Sequence, residues 1–162
     1  MNEMTNQAQV SATRDAPIAL EGPPPSGNAL AGLLGGLLAA LAGAVIWAVI
    51  AVHANIHTGY IAIGVGVLVA FAVRRLGSGN TPAFAAIGAF FALLGCLLGN
   101  LLSACGFLAE AQGRSAVLIV AQLMDEPGLA PGLMQANFNP MDLAFYAIAV
   151  YGGYKLSRRP RW

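Results

Sequence analysis

Between Glu21 and Arg74 the chain runs for 52 residues without a single Asp, Glu, Lys or Arg. A stretch of that length is hard to place in a water-soluble fold, whose surface needs charges interspersed along it. A second gap of 34 residues separates Arg75 from Glu110. A helix crossing ~30 Å of hydrocarbon takes about 20 mostly apolar residues. The first gap therefore accommodates two crossings and the second one.

Composition closes off the other classes. Apolar residues make up 57% of the 162 and charged ones 9%, against roughly 25% charged in a soluble domain. Disorder requires the opposite balance of low hydrophobicity and high charge. Two Cys cannot frame a disulfide scaffold, and a net charge of +1 does not hold a nucleic acid. The expectation is an all-α, polytopic membrane protein.

The polar cluster His53-Ala54-Asn55-Ile56-His57-Thr58-Gly59 divides the first gap. Spans are expected at about 29–52, 58–75, 83–108 and 141–156. The second counts on Arg74 and Arg75 to snorkel. Asn139-Pro140 introduces the fourth, and its Tyr146, Tyr151 and Tyr154 include interface anchors. Residues 115–124 are apolar but too short to cross, so an interfacial helix at about 115–126 lies between the third and fourth spans. Pro127, Gly128 and Pro131 are expected to break the chain after it. Residues 1–28, with Pro23-Pro24-Pro25, read as a disordered cytoplasmic tail, 29–157 as the membrane domain, and 158–162 as a basic tail.

Orientation follows from the basic residues. Four spans put Arg14, Arg74, Arg75, Lys155, Arg158, Arg159 and Arg161 on one side and Arg114 alone on the other. Lys and Arg stay in the cytoplasm, so both termini are expected there, in an inner (plasma) membrane. Arg74, Arg75, Lys155, Arg158, Arg159 and Arg161 would fix that orientation or meet lipid head groups.

Helices in lipid associate through close backbone approach and interhelical hydrogen bonds. Gly32, Gly36, Ala40 and Ala44 recur at four-residue spacing in the first span, beside Ala31, Gly35, Ala39 and Gly43. Ala62, Gly66 and Ala70 mark the second span, and Gly95, Gly99 and Ser103 the third. These ridges suit a four-helix bundle, or contacts in a homo-oligomer or larger membrane complex.

Few residues offer chemistry. Asn100 lies inside the third span with Ser103 near it; an amide in hydrocarbon needs a partner, across helices or along a solute path. His53 and His57 are the candidate metal ligands, four apart, but two imidazoles do not make a site. Glu110, Asp125 or Glu126 would have to complete it, and a polar turn at the membrane boundary accounts for the pair equally. Cys96 and Cys105, nine residues apart, fall on opposite helix faces and read as small buried hydrophobes. No H-E-x-x-H, phosphate loop or G-x-S-x-G occurs. No enzyme and no cofactor is expected.

Two stretches carry a resemblance. Val45-Ile46-Trp47-Ala48-Val49-Ile50-Ala51, followed by Thr58-Gly59-Tyr60-Ile61-Ala62-Ile63-Gly64-Val65-Gly66, resembles the first helical pair of a broad group of uncharacterised bacterial four-span integral membrane proteins. Asn139-Pro140-Met141-Asp142-Leu143, through Phe145-Tyr146-Ala147 to Tyr154-Lys155-Leu156, looks like their last span. The likeness covers roughly residues 29–157. Members often carry a soluble N-terminal segment, sometimes a zinc ribbon; the tail here has no Cys and could not hold zinc. An acidic residue is frequent in the group before the Gly-Tyr pair, where His57 or a neighbour stands. The resemblance implies the layout and no activity. The function expected is that of a small non-catalytic scaffold or accessory subunit. The alternative is a small channel or solute carrier with Asn100 and Ser103 along its path.

Overall fold

The computed structural model describes residues 27–55, 60–78 and 81–157, and these are helical with no strand among them. The α-helices are α1 (Ala29–His53), α2 (Ile61–Gly77), α3 (Pro82–Gln112), α4 (Ala116–Asp125), α5 (Ala130–Asn137) and α6 (Pro140–Leu156), with a 3-10 turn at Pro127–Leu129 before α5. The tail up to residue 26, His57, and Arg158, Arg159 and Arg161 lie outside the described residues.

Local signals set the ends. The Asn28 side chain accepts the Ala31 N–H at 3.1 Å and starts α1. Pro82 stands at the start of α3, where a missing N–H is harmless. Gly113, at φ 61°, ends that helix in the left-handed conformation glycine allows. Asn139 caps α6 as part of a capping box with Asp142.

α1, α2, α3 and α6 pack side by side, α2 and α3 each touching both of the other two. Close contacts fix their directions. Gly32 lies against Gly77 and Gly43 against Val65, so α1 and α2 are antiparallel. Gly36 meets Phe91, Gly99 meets Trp47 and Gly106 meets Val52, so α1 and α3 run the same way. Gly88 lies on Gly153, and Gly66 on Ala149, so α6 runs with α2. Arg74, Arg75 and Lys155 thus fall at one end, and Glu110, Arg114, Asp125 and Glu126 at the other.

The side chains are sorted by size. Ala40, Ala44, Ala62, Ala70, Ala85 and Ala92, at most 1% exposed, fill the interior with Val69, Val73 and Cys96. Leu30, Leu34, Leu38, Val45, Ile46, Val67, Phe71, Phe90, Leu143 and Ile148 point outward. Two helices, α1 and α3, are long and apolar enough to cross a membrane; only 33% and 44% of their most apolar stretches are buried. At about 1.5 Å per residue, their 25 and 31 residues reach about 38 and 46 Å.

Two expectations need correction. Residues 127–137 are not a broken connector but the 3-10 turn and α5, with prolines only in the first turn of each. A helix start lacks partners for its first N–H groups, so proline there breaks nothing. α3 also runs on to Gln112, past the expected end at 108. Its last turns pack beneath α4 and α5, with Cys105, Ala109 and Ile119 buried together.

Candidate functional site

The interior holds one concentration of polar side chains. Asn100, 2% exposed, points from α3 toward α6, where its Nδ2 donates to the Tyr146 hydroxyl at 2.7 Å. Its Oδ1 accepts from Asn137 Nδ2, at the end of α5, also at 2.7 Å. Ser103 Oγ donates to the Asn100 carbonyl at 2.8 Å, a bond back along its own helix. The same Asn137 amide approaches Ser103 Oγ at 3.5 Å. Three helices are thereby joined through one amide.

Sequence placed Asn100 and Ser103 inside but supplied neither partner. Tyr146, one of three tyrosines expected to include interface anchors, is 5% exposed and buried in the bundle. Its ring stands edge-on to Trp47 at 6.3 Å and to Phe138 at 6.5 Å between centroids. Tyr146 shares its helix face with Ala149 and Gly153, both buried, and that run of small residues was the signal available in the sequence. Asn137 carried no signal, because α5 itself was not foreseen. Tyr151 and Tyr154 are exposed. Asp142 is buried at 3%, its carboxylate accepting the Asn139 N–H at 3.0 Å as the return half of the capping box.

The glycines singled out for packing occupy helix contacts. A Cβ on Gly66 would stand 2.6 Å from the Ala149 carbonyl oxygen; on Gly36, 2.6 Å from the Phe91 ring; on Gly99, 2.8 Å from the Trp47 indole. One on Gly95 would meet Val65 at 2.8 Å, and one on Gly32 the Phe84 ring at 3.0 Å. Tryptophan and phenylalanine fill notches left by the missing side chains, so large rings sit between closely spaced backbones. Both Cys are free and buried.

At the basic end, the Arg75 guanidinium lies 4.9 Å from the Phe71 ring centre and Lys155 Nζ 5.5 Å from that of Tyr151. Both cations lean along outward aromatic rings. Arg74 is partly exposed beside them.

The opposite end has two cavities. One, of about 240 Å³, runs between α1 and α3 with His53, Glu110 and Arg114 at its polar part and Val49, Val52 and Leu102 among its apolar lining. The other, of about 340 Å³, lies under α4 and α5 and shares Arg114. Asn100 and Ser103 line neither. His53 is exposed, its Nδ1 3.1 Å from the Val49 carbonyl oxygen. Among the described residues no three His, Cys, Asp or Glu side chains converge to hold a metal ion.

No protein-family model, no curated protein and no solved structure matches the chain significantly.

Proposed function

We propose that the chain is a four-span integral membrane protein of a bacterial inner membrane, with both termini cytoplasmic, serving as a non-catalytic scaffold or accessory subunit. The observation that carries this reading is the size sorting of side chains. Most Leu and Ile, with Val45, Val67, Phe71 and Phe90, face outward along the four long helices, while most Gly and many Ala face inward beside a few Val and Phe. In water that surface would be an aggregation liability. In lipid, close backbone contact is what holds helices together.

α2 and α6, of 17 residues each, span about 25 Å and reach the head groups with Arg74, Arg75, Lys155, Tyr151 and Tyr154. α4 and α5 rest at the far end. The end that carries Arg74, Arg75 and Lys155 is the cytoplasmic one by the positive-inside rule. This is the layout that the sequence resemblance implies.

The interior polar groups favour a structural role over a conducting one. Asn100 Nδ2 and Oδ1 are both engaged by side chains of this same chain. The small-residue ridges of α1 are used up inside the bundle, so contacts with a second copy or another subunit fall to the outward apolar faces. Native purification in mild detergent, followed by mass measurement, tests the reading. A stable assembly of several copies, or a co-purifying membrane subunit, is the expected result. A strictly single chain without partners, or solute flux in proteoliposomes abolished by Asn100→Leu, would overturn it.

A further inference from the structure

The groove between the ends of α1 and α3 combines features no packing requirement explains. Its lining is largely apolar, with Val49 and Val52 from α1 and Leu102 from α3. Its rim carries opposite charges, Glu110 and Arg114, both exposed and joined by no ion pair to each other. Arg114 is also the only Lys or Arg among the described residues at this end. His53 completes the rim. Its Nδ1 lies 3.1 Å from the Val49 carbonyl oxygen, a geometry that suits the tautomer with the proton on Nδ1. In the neutral ring Nε2 is then left as an acceptor.

We propose that this groove binds a zwitterionic phospholipid with a primary-amine head group. The proposal rests on the four-span reading, which places the groove at the outer head-group level. The Arg114 guanidinium takes the phosphate, for which its planar fork of donors is suited. The Glu110 carboxylate and His53 Nε2 take the ammonium. A primary ammonium has three N–H donors to give to two acceptors; the quaternary ammonium of a choline head group has none. Val49, Val52 and Leu102 line the upper methylenes of one acyl chain, which a cavity of about 240 Å³ accommodates without admitting a whole lipid. A purely anionic head group leaves Glu110 facing negative charge, so the chemistry of the rim disfavours it.

The test uses the full chain, extracted in mild detergent and offered an equimolar mixture of phosphatidylethanolamine, phosphatidylcholine and phosphatidylglycerol. Retained lipid is read by native mass spectrometry. Wild-type protein should retain one phospholipid, enriched in phosphatidylethanolamine over phosphatidylcholine by about fivefold, the effect of one partly exposed charge contact. Glu110→Gln should bring those two lipids to parity. Arg114→Gln should lower retention of every class of phospholipid by about fivefold or more, and Arg114→Lys should restore part of it. Asp125→Asn, at the same end but outside the lining of the groove, should leave the preference unchanged, and circular dichroism checks that each variant is helical. Retention of no lipid, a preference for phosphatidylcholine or phosphatidylglycerol, or equal retention in wild type, Glu110→Gln and Arg114→Gln would overturn the proposal. A chain recovered in the aqueous fraction without detergent would instead sink the four-span reading. A membrane-inserted chain without head-group preference sinks the groove proposal alone.

Discussion

Adjacent glycines on α6 give a stringent test of the packing account. A Cβ on Gly153 would stand 2.6 Å from the Gly88 carbonyl oxygen and 2.9 Å from Ala92 Cβ, while one on Gly152 meets nothing within 4 Å. The atom facing Gly153 is backbone, so it cannot swing aside; α3 and α6 must part. Moving from 2.6 Å to ordinary contact at 3.4 Å takes about 0.8 Å, and a gap of that size forfeits about a quarter to a half of each dispersion contact along the seam. Overpacking of this kind costs about 1–3 kcal/mol. The gain in helix propensity from glycine to alanine offsets about 1 kcal/mol of it. Gly153→Ala should therefore destabilise by up to about 2 kcal/mol net, leaving it about 1–3 kcal/mol worse than the same substitution at an open position. Gly152→Ala should be neutral or stabilising by up to about 1 kcal/mol. Reversible unfolding in mixed micelles, followed by Trp47 fluorescence, measures both. If the two variants shift stability equally, or Gly152→Ala is the worse, the close α3–α6 contact is not what holds the bundle.

Three further outcomes follow from the same contacts. Asn100→Leu removes two side-chain bonds of 2.7 Å, each worth about 0.6 kcal/mol on average between membrane helices; a double-mutant cycle with Tyr146→Phe should show the two losses to be less than additive. Gly113→Ala places a Cβ at φ 61° and should cost about 1 kcal/mol, read as a lowered midpoint of thermal unfolding. Cys96 and Cys105, both 0% exposed, should resist maleimide in the folded protein and react fully once it is denatured; fast labelling of either in the native state would contradict their burial.

Charge-free length made α1 and α3 legible, because a run of that length without charge suits a long apolar helix. The ends of α1 and α6 were legible too, since Asn28 and Asn139 cap them through side-chain chemistry that acts locally. α5 was not. Its Pro131 and Gly132, after Pro127 and Gly128, read as breakers, and only the backbone position of each proline decides otherwise. The polar cluster was half legible. Asn100 and Ser103 stood out against their apolar surroundings, but Asn137 reaches them only because α5 folds back over α3, which is a tertiary fact. Which of the three tyrosines would be buried was not legible, because an aromatic with a polar tip suits an exposed interface and a buried hydrogen bond equally; the small residues Ala149 and Gly153 along the face of Tyr146 decide for it.

The central claim is the fourfold threading with the arginine-bearing end inside, and scanning with single cysteines tests it most directly. In a background with Cys96→Ala and Cys105→Ala, cysteines are placed by Ser78→Cys, Leu156→Cys, Ala54→Cys and Gln112→Cys, all at exposed positions, and intact cells are treated with a membrane-impermeant maleimide. The account predicts labelling from outside at positions 54 and 112, and labelling at 78 and 156 only after the membrane is opened. Labelling of position 156 in intact cells, or of 78 and 112 from the same side, would contradict it.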